Sequence, residues 1–172
     1  RKNVNGSLVS INYGKITSIS LDPIEKKPLY HFYPGKYILS IGSFGCNMKC
    51  MYCQNYLISQ NQISTKTVEF AYILKLLEEL ENNIGLAFTY NEPLISFEYV
   101  YDLILKIKTK FPQKKIVLVT NGFINTKPLL KIIPYIDALN IDLKAFNDDF
   151  YKKICLAKLN PVLNTIKTVY DK

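Results

Sequence analysis

Three cysteines that lie within eight residues of one another are the strongest chemical signal in this sequence. Cys46, Cys50 and Cys53 belong to a glycine-containing loop that follows the apolar segment Tyr37–Ile41. In α/β proteins, the loops after the strands carry the binding and catalytic residues. Three thiolates can bind three irons of a [4Fe–4S] cluster and leave the fourth iron open for a substrate or cofactor. The spacing therefore predicts a metal centre at the carboxyl end of a strand.

The cysteine pattern leaves two alternatives to a cluster. The triplet could bind zinc with Cys155 or His31 as the fourth ligand, although structural zinc sites usually pair two short cysteine knuckles and no second one is present. The thiols could also be inert and packed, which is the interpretation that we prefer for Cys155. We likewise expect His31 to be a packed loop residue. Four cysteines at these spacings do not suggest two disulfides, so we expect a reducing, cytoplasmic setting.

Polar residues follow three further apolar segments. Thr89–Pro93 (TYNEP) and Thr120–Gly122 (TNG) end two of them, although each could also be an ordinary turn into a helix. At the third, a period of two places Asn140, Asp142 and Lys144 on one face of a strand. Buried polar side chains are costly unless they are paired or bind a ligand, so these three indicate a binding site or a structural ion pair.

The elements that would position these residues alternate between strand and helix. The predicted strands are apolar on both faces, and helical patterns begin near Thr67, Ser96, Pro128 and Asn160, with Asn147 as a further cap. Such a pattern predicts an α/β fold with a parallel sheet. The last strand is expected to have an open edge. The predicted strands are Tyr37–Ile41, Leu86–Phe88, Ile116–Val119 and Ile136–Leu143.

The first 35 residues have a different character from residues 36–172. Ser7–Asn12 and Lys15–Leu21 have β character and flank Tyr13-Gly14, which predicts a hairpin. Asp22–Gly35 contains three prolines and is predicted to be an ordered connecting loop. We therefore divide the chain into an N-terminal hairpin and loop, residues 1–35, and an α/β core, residues 36–172.

The composition argues against two classes of partner. The net charge is +8, but the basic residues are 21 Lys and a single Arg. Because Arg makes the planar bidentate contacts that read bases, this composition predicts a solvated Lys surface and no specific nucleic-acid partner. Hydrophobic residues make up 48% of the chain, yet no apolar run is long enough to cross a membrane. We expect a globular protein without a membrane partner.

Several separated motifs resemble those of the radical S-adenosylmethionine (SAM) superfamily. The cysteine string is similar to that of the group related to pyruvate formate-lyase activating enzyme, and within it to the AmmeMemoRadiSam system radical SAM proteins. The resemblance covers nearly the whole chain. The strings that carry it are Gly45–Asn55 (GCNMKCMYCQN), Ile58-Ser59-Gln60, Asp22–Gly35 (DPIEKKPLYHFYPG), Thr89–Pro93 (TYNEP), Thr120–Gly122 (TNG) and Asn140–Asp148 (NIDLKAFND).

The resemblance implies a partial (β/α) barrel, of which this chain would supply about four of six units, the rest lying elsewhere in a longer protein. It implies an oxidoreductase-like enzyme in which a [4Fe–4S] cluster cleaves SAM reductively; the alternative is a non-catalytic cytosolic module that binds zinc or an iron–sulfur cluster. The resulting 5′-deoxyadenosyl radical would abstract hydrogen from a substrate that the sequence does not identify. An electron donor such as flavodoxin or ferredoxin, and a protein substrate like those of glycyl-radical-enzyme activases, are the implied partners.

The resemblance also implies roles for individual residues. Cys46, Cys50 and Cys53 would bind iron, Asp142 would face the ribose hydroxyls or the ammonium of SAM, and Lys144 would face its carboxylate. The full set of SAM contacts implied in this way is Tyr52, Asn55, Tyr90, Asn91, Glu92, Thr120, Asn121, Asp142 and Lys144.

Overall fold

The computed structural model describes residues 2–61 and 63–172, so Arg1 and Gln62 lie outside the described residues. The strands are β1 (Lys2–Val4), β2 (Ser7–Val9), β3 (Lys15–Ile16), β4 (Ser18–Pro23), β5 (Tyr37–Gly42), β6 (Lys66–Thr67), β7 (Asn83–Phe88), β8 (Lys115–Thr120) and β9 (Ala138–Ile141). The α-helices are α1 (Tyr56–Gln60), α2 (Phe70–Glu79), α3 (Phe97–Lys110), α4 (Thr126–Ile132), α5 (Asp148–Phe150) and α6 (Leu159–Tyr170). A π-helical turn, Tyr151–Cys155, continues α5.

Five strands form the main sheet in the order β4-β5-β7-β8-β9. The last four strands are parallel, whereas β4 runs antiparallel to β5 at one edge. The backbones of β7 and β8 approach closely at Gly85, where an added Cβ would lie 1.8 Å from the carbonyl oxygen of Lys115. The predicted α/β class and parallel sheet are confirmed. A six-unit barrel in the whole protein stays a prediction.

One face of the sheet packs against α2 and α3. Ile73 and Leu77 are one helical turn apart on α2, and Leu103 and Ile107 are one turn apart on α3, so each helix buries an apolar stripe. These stripes contact a continuous buried cluster on the sheet that includes Leu39, Ile41, Leu86, Phe88, Ile116 and Leu118. Burial of this area from water is the main driving force for the core.

The opposite face is closed at the amino-terminal half of its strands and polar at the carboxyl ends. Ile24 packs with Ile38, Ala87 and Val117, and the half-buried Leu29 and Phe32 pack against this cluster. The segment after β4 therefore fills the floor of that face. The cavity described below lies above this floor.

The predicted N-terminal hairpin of Ser7–Asn12 with Lys15–Leu21 is wrong. Instead β2 pairs with β1 around Asn5-Gly6, where both residues have the positive φ that a tight hairpin turn requires (49° and 84°). The second predicted strand is split between β3, which pairs with β6, and β4, which pairs with β5 along its whole length. Pairing with β4 satisfies the backbone groups of the buried β5, which a local hairpin would have left open.

The helix boundaries also differ in detail. Thr67 lies in β6 rather than at a helix N-cap, and α2 begins at Phe70. Ser96 precedes α3, but its side chain makes no capping hydrogen bond. Asn147 does cap α5, accepting a 2.9 Å hydrogen bond from the backbone N–H of Phe150. Across the described part of the chain, we find no helix with the length and apolarity needed to span a bilayer.

Candidate functional site

A cavity of about 720 Å³ lies at the carboxyl ends of the parallel strands. It is the edge at which ligands bind in open parallel sheets, because the loops after each strand meet there. All the site residues predicted above line it. They are Cys46, Cys50, Tyr52, Cys53, Asn55, Tyr90, Asn91, Glu92, Thr120, Asn121, Asp142 and Lys144.

The loop that carries the cysteines is fastened at its start. Gly45 has φ +90°, a conformation that favours glycine, and its N–H donates to the carbonyl of Ile58 at 2.7 Å. The amide of Asn91 bonds on both sides, accepting from the N–H of Ser43 at 3.0 Å and donating to the carbonyl of Gly45 at 3.0 Å. Asn91 therefore links the loop after β7 to the cysteine loop.

The π-helical turn holds the other end of the cysteine loop. The N–H groups of Lys49 and Met51 donate to the carbonyls of Cys155 and Ile154, at 2.9 and 3.0 Å. Cys155 is fully buried, in agreement with a packed thiol. Its sulfur lies 3.7 Å from the hydroxyl of Tyr52. Cys155 also contacts the thiol of Cys50, but it is not among the side chains that line the cavity.

The thiols are buried enough for their protonation to be affected. Burial raises the pKa of Cys46, and burial together with the neighbouring Cys155 thiol raises the pKa of Cys50 to about 12. Positive charge from bound iron would reverse this preference, because coordination favours the thiolate. The three thiols are free of disulfide bonds and face one cavity, so the donor set fits an iron–sulfur cluster.

A single metal ion fits the same residues less well. Among residues 2–61 and 63–172, no three His, Cys, Asp or Glu side chains come together as ligands of one ion. The cysteine ligands of a cluster bind separate irons and need not converge on one point. His31 is exposed and does not line the cavity. His31 therefore does not lie beside the three cysteines as a fourth ligand.

Glu92 is buried and bonded by its own protein on both carboxylate oxygens. Oε1 accepts from the N–H of Leu94 at 3.0 Å and the hydroxyl of Thr120 at 2.8 Å. Oε2 accepts from the N–H of Asn121 at 2.7 Å. Burial raises the pKa of Glu92 to about 7 even though these donors favour the charged form. In this structure the Glu92 carboxylate therefore joins the loops after β7 and β8.

The strand β9 is shorter than predicted and ends at Ile141, so Asn140 lies in the strand while Asp142 and Lys144 follow it, yet the three polar side chains still contact one another. The amide of Asn140 donates to Asp142 at 2.8 Å, and the ammonium of Lys144 lies 2.8 Å from the other oxygen of Asp142. Burial alone would lower the pKa of Lys144, but the hydrogen bond to Asp142 and the charge of that carboxylate raise it on balance. The Asp142 side chain is 41% exposed, so the pair is open to the cavity.

Two more of the predicted residues contact each other at the rim. Asn55 donates from its amide to the carbonyl of Tyr90 at 2.6 Å. Tyr90 has φ +73°, which is unusual for a residue with a large side chain. An added Cβ at Gly42 would lie 2.8 Å from the Tyr90 ring, so the absence of a side chain there makes room for it.

A charged group of side chains around the buried Asp22, in the floor of the cavity, was not predicted from the sequence. Lys26 and Lys27 both line the cavity, and both ammonium groups contact Asp22, at 2.9 and 2.6 Å. The hydroxyl of Tyr90 also donates to Asp22. Two adjacent lysines in a proline-containing segment look like a solvated loop. The signal that this segment contributes to the site was that Asp22–Gly35 is one of the strings that carry the resemblance.

A second cavity, of about 690 Å³, reaches the cysteine loop from its other side. Gly45, Cys46 and Asn47 line it, and the rest of its wall is largely apolar, including Phe44, Leu94, Ile95, Phe97 and Phe123. Cys46 therefore lines both cavities.

The fold and this site define a member of a known class of proteins. Residues 40–172 match the family model described as the radical SAM superfamily. That stretch includes the cysteine loop, the four parallel strands of the sheet except for the start of β5, and all the residues of the polar cavity that were predicted from the sequence. The chain belongs to the radical SAM superfamily.

A relative is the uncharacterized protein MJ0808 of Methanocaldococcus jannaschii. It is 43% identical to this chain over 172 residues, which cover 97% of this chain and 49% of the relative. The chain thus spans about half the length of the curated relative that it matches.

Proposed function

We propose that this chain forms the cluster-binding and SAM-binding core of a radical SAM enzyme. Cys46, Cys50 and Cys53 hold a [4Fe–4S] cluster, and SAM occupies the polar cavity beside it. The observation that carries the proposal is that three free thiols on one strand-end loop face a 720 Å³ cavity together with charged groups of both signs. Membership of the superfamily supports the same reading.

When bound and reduced, the cluster supplies the electron that splits the sulfonium of SAM into methionine and a 5′-deoxyadenosyl radical, which abstracts hydrogen from the substrate. The protein's own task is to hold SAM in one orientation. Lys144 has three N–H donors, of which Asp142 takes one, so it can also bind the carboxylate of the methionine end. Asp142 accepts from the ribose hydroxyls or the ammonium of SAM.

The remaining cavity residues complete the SAM site. Tyr52, at the rim, packs beside the cluster or the adenine, and Asn55 contacts the nucleoside. Tyr90 and Asn91 hold the loop after β7 in place. Asn91 bonds to the cysteine loop, and the Tyr90 hydroxyl donates to Asp22 in the floor of the cavity. Thr120 and Glu92 hold the neighbouring loop in register. Together these side chains fix the loops that surround the cavity.

We further propose that the whole protein resembles glycyl-radical-enzyme activases of the pyruvate formate-lyase activating type, and within them the AmmeMemoRadiSam system proteins. The separated strings from Asp22–Gly35 to Asn140–Asp148 support this relation. A one-electron donor such as flavodoxin or ferredoxin and a protein substrate would then be partners of the whole protein. A cytoplasmic location fits free cysteines that must remain thiolates.

The test is anaerobic reconstitution of the full-length protein with iron and sulfide, followed by reduction in the presence of SAM. We expect about four irons per chain and release of 5′-deoxyadenosine together with methionine. The matched control is Cys50→Ser, which should hold less iron and release no deoxyadenosine. Binding of zinc but not iron, or a full cluster that leaves SAM intact under strong reduction, would overturn the proposal.

A further inference from the structure

We infer that Asn121 acts on the cluster through the sulfur of Cys46 and not as a direct contact of SAM. Its amide N–H points at that sulfur, and the geometry points to a role in raising the reduction potential of the cluster. The inference rests on the proposed function, because it takes Cys46 to be an iron ligand.

The side chain of Asn121 has no N–H donor left for a cofactor. Its Nδ2 donates to Oδ1 of Asn47 at 2.8 Å and to Sγ of Cys46 at 3.5 Å. Its Oδ1 accepts from the N–H of Phe123 at 2.8 Å. The residue is 6% exposed. A planar amide has two N–H donors and a carbonyl oxygen with two lone pairs, so these bonds use both donors and one of the two acceptor positions.

The surrounding contacts hold the amide in this orientation. The backbone N–H of Asn121 is fixed by Glu92 at 2.7 Å. The other end of the network is closed by Asn47, whose amide donates to the carbonyl of Phe123 at 2.6 Å. Rotation of the Asn121 side chain would break bonds at both of its ends. The N–H directed at Cys46 is therefore a fixed feature of the site.

A fixed N–H beside a ligating sulfur changes the energy of reduction. Reduction adds one electron from an external reductant to the cluster, with no bond formed or broken, and increases the negative charge shared with the sulfurs. A hydrogen bond to sulfur stabilises this extra charge more in the reduced state, so it raises the potential. Cys46 receives a second such bond from the N–H of Met48, at 3.3 Å. Two donors converge on one ligand.

The experiment is a redox titration of the reconstituted full-length protein, followed by the electron paramagnetic resonance (EPR) of the reduced cluster. In Asn121→Leu we expect the ratio of reduced to oxidised cluster at a fixed potential to fall about tenfold, which is about 59 mV for a one-electron couple. The dissociation constant of SAM for the oxidised protein should stay within about twofold of that of the unchanged protein, because no SAM contact is lost.

Thr165→Val is the matched control. The Thr165 hydroxyl is buried and donates to the carbonyl of Gly122 at 2.7 Å, so the variant loses a hydrogen bond to the same loop without touching sulfur. Its potential should not move. If Asn121→Leu does not fold, Asn121→Ala removes the N–H donors without adding a charge beside the cluster. We expect its potential to fall as well.

The outcomes separate the two claims. A cluster that assembles with an unchanged potential in both Asn121 variants overturns the inference and leaves the proposed function intact. An unchanged potential combined with a loss of SAM affinity returns Asn121 to the SAM site. Failure of the unchanged protein to form a cluster overturns both. A resonance Raman shift of the iron–sulfur stretches on exchange into D₂O, lost in Asn121→Leu, would support the N–H···S bond directly.

Discussion

The ammonium of Lys27 lies 2.6 Å from the carboxylate of Asp22, and the two residues are 1% and 3% exposed. Lys27 also lies 4.9 Å from the centre of the Tyr90 ring, and the Tyr90 hydroxyl donates to the same carboxylate. Burial alone would raise the pKa of Asp22, but hydrogen bonds from Lys27, Tyr90 and Lys26 hold it well below its usual range. These contacts of Asp22 thus connect strand β4 and the floor of the cavity to the loop after β7.

Lys27→Met should strongly destabilise the protein, because it leaves Asp22 buried without its main partner. Removing one member of a buried ion pair typically costs about 3–5 kcal/mol. Lys26→Met is the control, since Lys26 bonds the same carboxylate but its side chain is 59% exposed, and such a pair is worth about 0–1 kcal/mol. The measurement is the free energy of unfolding of the full-length protein by denaturant.

The double variant Asp22→Asn with Lys27→Met should recover part of this loss, since it removes both charges together. Equal losses of unfolding free energy in Lys27→Met and Lys26→Met would show that the buried Asp22–Lys27 pair does not provide the stability assigned to it.

Glu92 should make stability depend on pH near neutrality. Its pKa is about 7 in the folded chain, because burial raises it, and about 4.3 when unfolded. Between these pH values the folded state holds a proton that the unfolded state lacks. The stabilisation of the folded state by protonated Glu92 is therefore fully present below about pH 4.3 and is lost as pH rises towards 7. The free energy of unfolding of Glu92→Gln should lack this slope.

The exposed Glu79→Gln serves as the control and should keep the slope of the unchanged protein. The free energy of unfolding of the unchanged protein minus that of Glu92→Gln should become less positive as pH rises from 4.5 to 7, within the window set by the two pKa values above. A constant difference would mean that Glu92 titrates alike in both states.

Lys144→Met should weaken SAM binding and leave the cluster in place. Losing one charge-assisted hydrogen bond of about 1.5–3 kcal/mol raises the dissociation constant by about tenfold or more. The measurement is SAM binding by calorimetry to the reconstituted full-length protein. Lys153→Met, at a side chain that is 76% exposed on the adjacent π-helical turn, should bind SAM normally. Normal SAM affinity in Lys144→Met with a large fall in stability would identify a purely structural ion pair.

Cys155→Ala should leave the iron content unchanged, because this thiol is buried and does not line the cavity. Cys46→Ala, Cys50→Ala and Cys53→Ala should each lower the iron content sharply after reconstitution. Iron analysis of the four purified variants makes the comparison. A loss in Cys155→Ala as large as that in Cys50→Ala would instead make Cys155 a fourth ligand.

The strand-end residues could be predicted because their position follows from simple geometry. Parallel strands bring their carboxyl ends to one edge, so Cys46, Glu92, Asn121 and Asp142 had to meet once the strands were recognised. What the pattern could not show is how their polar atoms are used. The commitment of Glu92 and Asn121 to neighbouring loops depends on distances of a few ångström that sequence spacing does not encode.

The N-terminal part was harder to predict because its contacts are not local. Lys15–Leu21 has strand character, but its partners, β6 and β5, follow it by tens of residues. Asp22 contacts Lys27 locally, within the segment after β4, but its contact with Tyr90 joins residues 68 positions apart and depends on the long-range pairing. A local pattern around Tyr13-Gly14 favoured a hairpin that burial of β5 overrides.

The most direct single measurement is the EPR spectrum of the reduced, reconstituted full-length protein before and after addition of SAM. If three cysteines hold the cluster and the fourth iron is open, SAM binds that iron through its amino and carboxylate groups. The spectrum should then change, and ¹⁵N-labelled SAM should add a nuclear coupling. An iron signal that is identical with and without SAM, or a protein that retains zinc and gives no cluster signal, would contradict this arrangement.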